Sequence, residues 1–164
     1  MGLQLPGELI SLLSMLGYTW PEADEEKLFE LGNHWTSYGG TLAGTVADAD
    51  SAARSVWQHN RGDAVTAFQG AWTEAEAPAA NLLDGADGAT LIGIGLMVAA
   101  GIVLALKINV IVQLVLLAIE IAQAIATAVA TFGASLLEIP IFKEITGLLI
   151  NELINLALQA LLDG

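Results

Sequence analysis

Apolar residues recur along this chain at helical rather than strand spacing and divide it into a series of helices. A short apolar stretch over residues 8–16 stops at Gly17, a residue type that tolerates the left-handed conformation after a helix. Thr19-Trp20-Pro21-Glu22 then reads as a helix start. Thr19 and Glu22 have capping-box spacing, and proline fits a first turn because its missing N–H would be unpaired there. From Leu28 the pattern becomes a heptad. Leu28, Trp35, Leu42, Ala49 and Val56 hold one position, and Leu31, Tyr38, Thr45 and Ala52 hold the position three residues later. This predicts a helix of about 38 residues, roughly 55 Å long, with a seam for a partner helix. Gly39, Gly40 and Gly44 weaken an isolated helix, so they point to close approach of another backbone.

Asn60-Arg61-Gly62-Asp63 breaks the heptad with turn chemistry, and Asp63 reads as the cap of the next helix. That helix carries Val65, Phe68, Ala71, Trp72 and Ala75 on one face, which closes a helical hairpin. Pro78 marks a kink, and Asp84-Gly85-Ala86-Asp87-Gly88 reads as a loop. Residues 89–106 contain no charge. A following helix is expected to run to about Glu138 and to end at Pro140. It bears a polar stripe of Asn109, Gln113, Glu120, Gln123, Thr127 and Thr131 at spacings that share one face. A last amphipathic helix is expected over about 141–162. The expected fold is all-α: a long antiparallel helical hairpin extended by a strongly apolar helical bundle. It reads as a single domain over 1–164, with an acidic sub-region 1–84 and an apolar sub-region 89–164.

Composition narrows the chemistry. The chain is 55% hydrophobic and only 14% charged, which excludes disorder for most of its length. Thirteen acids and three bases lie in residues 1–90, against five acids and two bases in 91–164. A net charge of −13 offers no cations to displace phosphate counterions, so nucleic acid is not an expected partner. Without cysteine there is no disulfide framework, thiolate metal site or cysteine nucleophile. The two histidines, His34 and His59, belong to no metal or catalytic motif, and no Gly-rich loop follows a strand. Neither an enzyme activity nor a cofactor or metal is expected. The first residues lack the Lys/Arg-rich start of a secretory signal, and Pro6-Gly7 interrupts the apolar stretch, so no Sec-type export is expected.

Residues 89–137 leave two solvents open. An uncharged run of 18 residues meets the threshold for a transmembrane helix, yet a helix buried inside a bundle looks the same. Gly93, Gly95 and Gly101 dilute the run, and flanking Trp/Tyr anchors are missing. Composition leans toward a soluble bundle or oligomer, with membrane insertion as the alternative.

The ordered segments LPGEL (5–9), GYTWPEADEEKL (17–28), DADSAAR (48–54), HNRGDAVTAF (59–68) and Trp72 resemble the WXG-like helical hairpins of type VII secretion substrates. They are most similar to the CpnT-type N-terminal domain of actinobacterial secreted toxins. LKINVIVQLVLLAIEIAQA (106–124) and ATFGAS (130–135) resemble the apolar extension of the same family. The resemblance implies a non-enzymatic domain that pairs with a small WXG-type helical partner or with itself and is exported by a membrane ATPase. Secretion through the type VII system would be its localisation, and a toxin its continuation. It also raises the alternative of a membrane-inserting or pore-forming module. The family's Trp-x-Gly turn is replaced by Asn60-Arg61-Gly62, so Gly62 alone carries over. The Tyr-x-x-x-Asp/Glu export signal is absent, and Trp72 with Glu76 offers the same spacing. Leu28, Leu31, Trp35, Tyr38 and Leu42 form the expected partner seam.

Overall fold

The computed structural model describes residues 2–163. They form α1 (Gly7–Met15), α2 (Glu25–His59), α3 (Asp63–Thr73), α4 (Pro78–Thr127), a 3-10 turn (Ala134–Glu138) and α5 (Ile139–Asp163). Among the described residues there is no strand, and the fold is all-α as the periodicity predicts. Contacts group the chain into two compact units. One joins Met1–Lys27 to Val98–Gly164, and the other is Leu28–Met97.

Within the Leu28–Met97 unit, α2 and the first part of α4 run antiparallel at unusually short range. The buried residues of α2 here are Gly32, Gly39, Val46 and Ala53, a seven-residue row beside the bulky seam. Gly32 faces Gly93 and Gly39 faces Ala86 of α4, both buried in turn, and Val46 shares a pocket with Pro78, Ala79 and Leu82 at the start of α4. A Cβ added at Gly93 would lie 2.7 Å from the Gly32 carbonyl oxygen and 2.9 Å from the Thr36 nitrogen, and one at Gly39 would lie 2.7 Å from the Ala86 carbonyl oxygen. Close approach is therefore required at Gly39, whereas Gly40 and Gly44 have open space beside them. Thr36 and Thr90 turn their hydroxyls onto the carbonyls of Gly32 (2.8 Å) and Ala86 (3.0 Å), so no polar atom is stranded in the contact.

Several expected boundaries move for identifiable reasons. The long helix starts at Glu25, not Thr19. Asp24 accepts the Lys27 N–H at 3.2 Å and takes the capping role. Tyr18 and Trp20 are instead committed to packing, as described below. Asp63 is the first residue of α3, and the cap position is Gly62, whose φ of 128° suits only glycine. Pro78 does not kink a helix. It opens α4, the first-turn position that tolerates its missing N–H, while α3 ends at Thr73 and leaves Ala75 outside it. The expected loop at 84–88 lies inside α4, because burying Ala86 and Ala89 against α2 outweighs the local preference of Asp and Gly for turns. Pro140 likewise belongs to the first turn of α5 rather than ending a helix, and α4 stops earlier, at Thr127.

In the other unit, Leu5, Leu9 and Leu13 of the N-terminal segment pack with Val110 and Leu114 of α4 and Ile150 of α5. Tyr18 donates its hydroxyl to the Gly147 carbonyl (3.0 Å), and the Trp20 indole N–H donates to the Leu3 carbonyl (3.3 Å). These contacts hold residues 18–24 in non-helical form before α2 begins.

The glycine seam makes a direct test. Gly93→Ala should lower stability by about 1–3 kcal/mol through overpacking. Gly40→Ala, on an open helix surface, should raise it by about 0.5–1 kcal/mol. Urea unfolding followed by circular dichroism measures both, and equal effects would contradict the close-approach account.

Candidate functional site

The apolar face of α2 that does not pack against α4 is the main candidate. Leu31, Trp35 and Tyr38 are exposed, at 44%, 36% and 56% of their surface, and Leu28 and Leu42 are half-buried. Trp35 and Tyr38 meet edge to face with centroids 6.2 Å apart, and with Leu31 and His34 they line a shallow cleft. The bulky heptad positions lie outward because the small ones, Gly32 and Gly39, are required inward. Large aromatic and aliphatic side chains in a row of this kind are surplus to the unit's own core, which is the pattern of an interaction surface.

The turn region is built by α3 on the end of α2. Phe68 sits 5.8 Å from both Trp57 and Trp72, centroid to centroid. The Trp72 indole N–H donates to Asp50 at 3.2 Å, and Arg54 pairs with the other oxygen of the same carboxylate at 2.6 Å. Those hydrogen bonds, Arg54 first and Trp72 second, hold the Asp50 carboxyl below its ordinary value. Trp72 is thus half-buried and tied down, whereas Glu76 stands exposed in the bend between α3 and α4. Both belong to the same corner, where the Glu76 carbonyl accepts the Asn81 side-chain amide at 3.2 Å while its carboxylate stands in solvent. Gly62 lies at the opposite end of α3.

The polar stripe follows α4 as far as Thr127, and Thr131 lies beyond it in the following turn. Asn109 is exposed and donates to the Ala105 carbonyl of its own helix, while Gln113 and Glu120 are half-buried. Thr127 and Thr131 also turn their hydroxyls onto carbonyls one helical turn back. His34 and His59 are exposed, and among the described residues no group of three or more His, Asp or Glu could hold a metal ion.

One constellation has no counterpart in the sequence reading. Lys107, in the middle of the apolar helix, is 1% exposed. Its ammonium donates to Glu25 (2.7 Å) and to the Ala23 carbonyl (2.6 Å), and it lies 5.8 Å from the centre of the Trp20 ring. The second Glu25 oxygen accepts the Leu3 N–H. Burial alone would raise the Glu25 pKa, but the Lys107 hydrogen bond and the backbone donors outweigh it and hold the carboxyl below its ordinary 4.5. The signal available in the sequence was Lys107 itself, the single charge in residues 89–119. A lone charge in so apolar a helix needs a partner.

The model of the WXG100-like domain matches residues 4–146. The chain belongs to this family. No curated protein and no solved structure matches it. WXG100-like domains are secretion-associated helical proteins related to type VII export and are generally non-enzymatic. They typically self-associate or pair with helical partners. In this WXG100-like chain the match takes in the α2 seam, the α3 corner and the whole of α4.

The buried pair gives a pH test. Because the folded-state pKa of Glu25 is depressed, its contribution is complete above about 4.5 and is lost as pH falls through the lower folded value. Glu25→Gln should flatten the stability–pH slope on the acid side. Lys107→Met should cost about 3 kcal/mol at pH 7 by stranding a buried carboxylate, and the double change Glu25→Leu/Lys107→Met should recover much of that. Denaturant titrations from pH 3 to 7 check all three.

Proposed function

We propose that this domain targets a type VII secretion effector for export and docks a helical partner along the Leu28–Leu31–Trp35–Tyr38–Leu42 seam. The observation that carries the reading is the division of labour on α2. One heptad row is consumed by the close contact with α4, and a second row, aromatic and exposed, is left over. A small WXG-type helical protein fits that row, with self-association as the other way to cover it. The family relation supports export driven by a membrane ATPase, and a CpnT-type actinobacterial toxin is the kind of protein such a domain would lead. Neither catalysis nor a cofactor has a part in this reading. Trp72 and Glu76 are the candidate export signal, and Gly62 sets the turn before them.

A second reading rests on a separate observation. The most apolar helical windows, within Asp63–Thr127 and Ala134–Leu162, are long and apolar enough to cross a membrane, and only 28% and 11% of them are buried. Exposed apolar surface on this scale suits lipid or a further protein surface. It supports a membrane-inserting module over 89–137, in which the Asn109–Gln113–Glu120–Gln123–Thr127–Thr131 stripe lines a polar path or a helix interface.

Glu76→Ala should reduce secretion at least tenfold without changing thermal stability. Trp72→Ala should reduce secretion and also lower stability, since it removes the Asp50 contact. Normal export of the Glu76 variant would refute the signal assignment. Trp35→Glu should abolish partner or self-association in light scattering while leaving helicity unchanged. For the membrane reading, the wild-type chain should aggregate in detergent-free buffer and recover in detergent or liposomes, and a discrete soluble species would count against it.

A further inference from the structure

Residues 2–25 lie against α4 and are held there by contacts of two kinds. Leu5, Leu9 and Leu13 cover Val110 and Leu114, together with Ile150 of α5. Polar contacts then fasten the segment. Lys107 donates to Glu25 and to the Ala23 carbonyl, Glu25 accepts the Leu3 N–H, and Tyr18 donates to the Gly147 carbonyl. Elsewhere on the circumference of α4, Ile108, Val112, Leu116 and Ile119 are about half exposed.

This attachment sets a condition on crossing a bilayer. Residues 89–119 carry one charge, Lys107, and a spanning helix needs about 20 residues. Every stretch of that length within 89–119 therefore includes Lys107. While the N-terminal segment is attached, Lys107 brings Glu25 with it at 2.7 Å. Glu22, Asp24, Glu26 and Lys27 all lie within three residues of Glu25, and Glu22, Glu26 and Lys27 stand in solvent. Four carboxylates and a second ammonium are too costly to carry into an acyl layer, where even one charge is expensive. Without the segment, α4 carries only its lysine there, and the lysine stem lets the ammonium reach toward the headgroups.

We propose that residues 2–25 form a releasable clasp on α4: closed, the clasp keeps the helix out of the bilayer, and the helix enters lipid only once the clasp has left. The proposal rests on the membrane reading above and adds its conformational step. Lipid acts as the competitor. Acyl chains can take the place of Leu5, Leu9 and Leu13 over Val110 and Leu114, but they offer nothing in place of Glu25. Because the bilayer accepts only the open form, it draws the population toward that form, and the buried ion pair opposes the shift. Weakening the pair from the clasp side favours insertion.

The chain has no cysteine, so two introduced cysteines take spin labels at chosen positions only. Ser11→Cys on α1 and Ala105→Cys on α4 both replace exposed residues. The labelled full chain is measured by pulsed electron paramagnetic resonance in buffer and after flotation with phosphatidylcholine vesicles. One narrow distance distribution is expected in buffer, and a mean distance at least twice as long in the floated fraction. Glu25→Gln, which alters the clasp and leaves α4 intact, should raise the floated fraction at least threefold. Tyr18→Phe, a milder change that removes only the Gly147 hydrogen bond, should raise it in the same direction. Trp72→Ala, destabilising in the other unit, should leave it unchanged. Failure of wild type to float overturns both the clasp and the membrane reading. Flotation with an unchanged label distance overturns the clasp alone. So does a floated fraction that neither clasp variant raises, or one that Trp72→Ala raises equally.

Discussion

The close backbone contact between α2 and α4 decides which side of α2 meets the outside. Where Gly32 faces Gly93 and Gly39 faces Ala86, there is no room for a Cβ, so only the smallest residues can line the contact. Gly32 and Gly39 satisfy that demand one heptad apart, and Val46 and Ala53 continue the same buried row. The bulkier heptad row cannot share the same face and is turned outward. An exposed apolar row thereby arises without any dedicated loop, as the remainder of a packing problem solved next to it. The cost of glycine in a helix is offset by the close packing it permits.

The other unit is organised around a charge rather than a void. A lysine in the centre of an apolar helix needs a counter-charge and hydrogen-bond acceptors, and residues 23–25 supply both, with the Trp20 ring alongside. Mispaired registers would strand the ammonium, so the pair fixes how the N-terminal segment lies on α4 as well as attaching it. Leu5, Leu9 and Leu13 then fill the apolar surface next to it.

Much of this was legible because helical period survives in a single sequence. The all-α class, α1 with Gly17 after it, the extent of α5 and the two-turn alternation of Leu28 to Leu42 all follow from spacing. What spacing concealed was competition between neighbouring rows. The row of Gly32, Gly39, Val46 and Ala53 was present but lacked the bulk that draws attention. A matching row on α4, Ala86, Gly93, Ala100, Lys107 and Leu114, runs straight through the stretch that turn chemistry marks as a loop. Its continuity argued for helix, and the local Asp-Gly composition argued against. Thr19 and Pro21 imitate a helix start convincingly, and only the distant contacts of Tyr18 and Trp20 prevent one. The partner of Lys107 stands 82 residues away and carries no local mark.

The division into units also has a consequence for the order of events during synthesis. Leu28–Met97 is one uninterrupted stretch, so its helices can close on one another as soon as they have emerged from the ribosome. Met1–Lys27 emerges first but belongs with Val98–Gly164, and Leu5, Leu9 and Leu13 must wait for Val110, Leu114 and Ile150. Contacts of such long sequence separation form late. Until then a greasy N-terminal helix remains uncovered, in the interval when a chaperone or a targeting factor has its best access to the nascent chain.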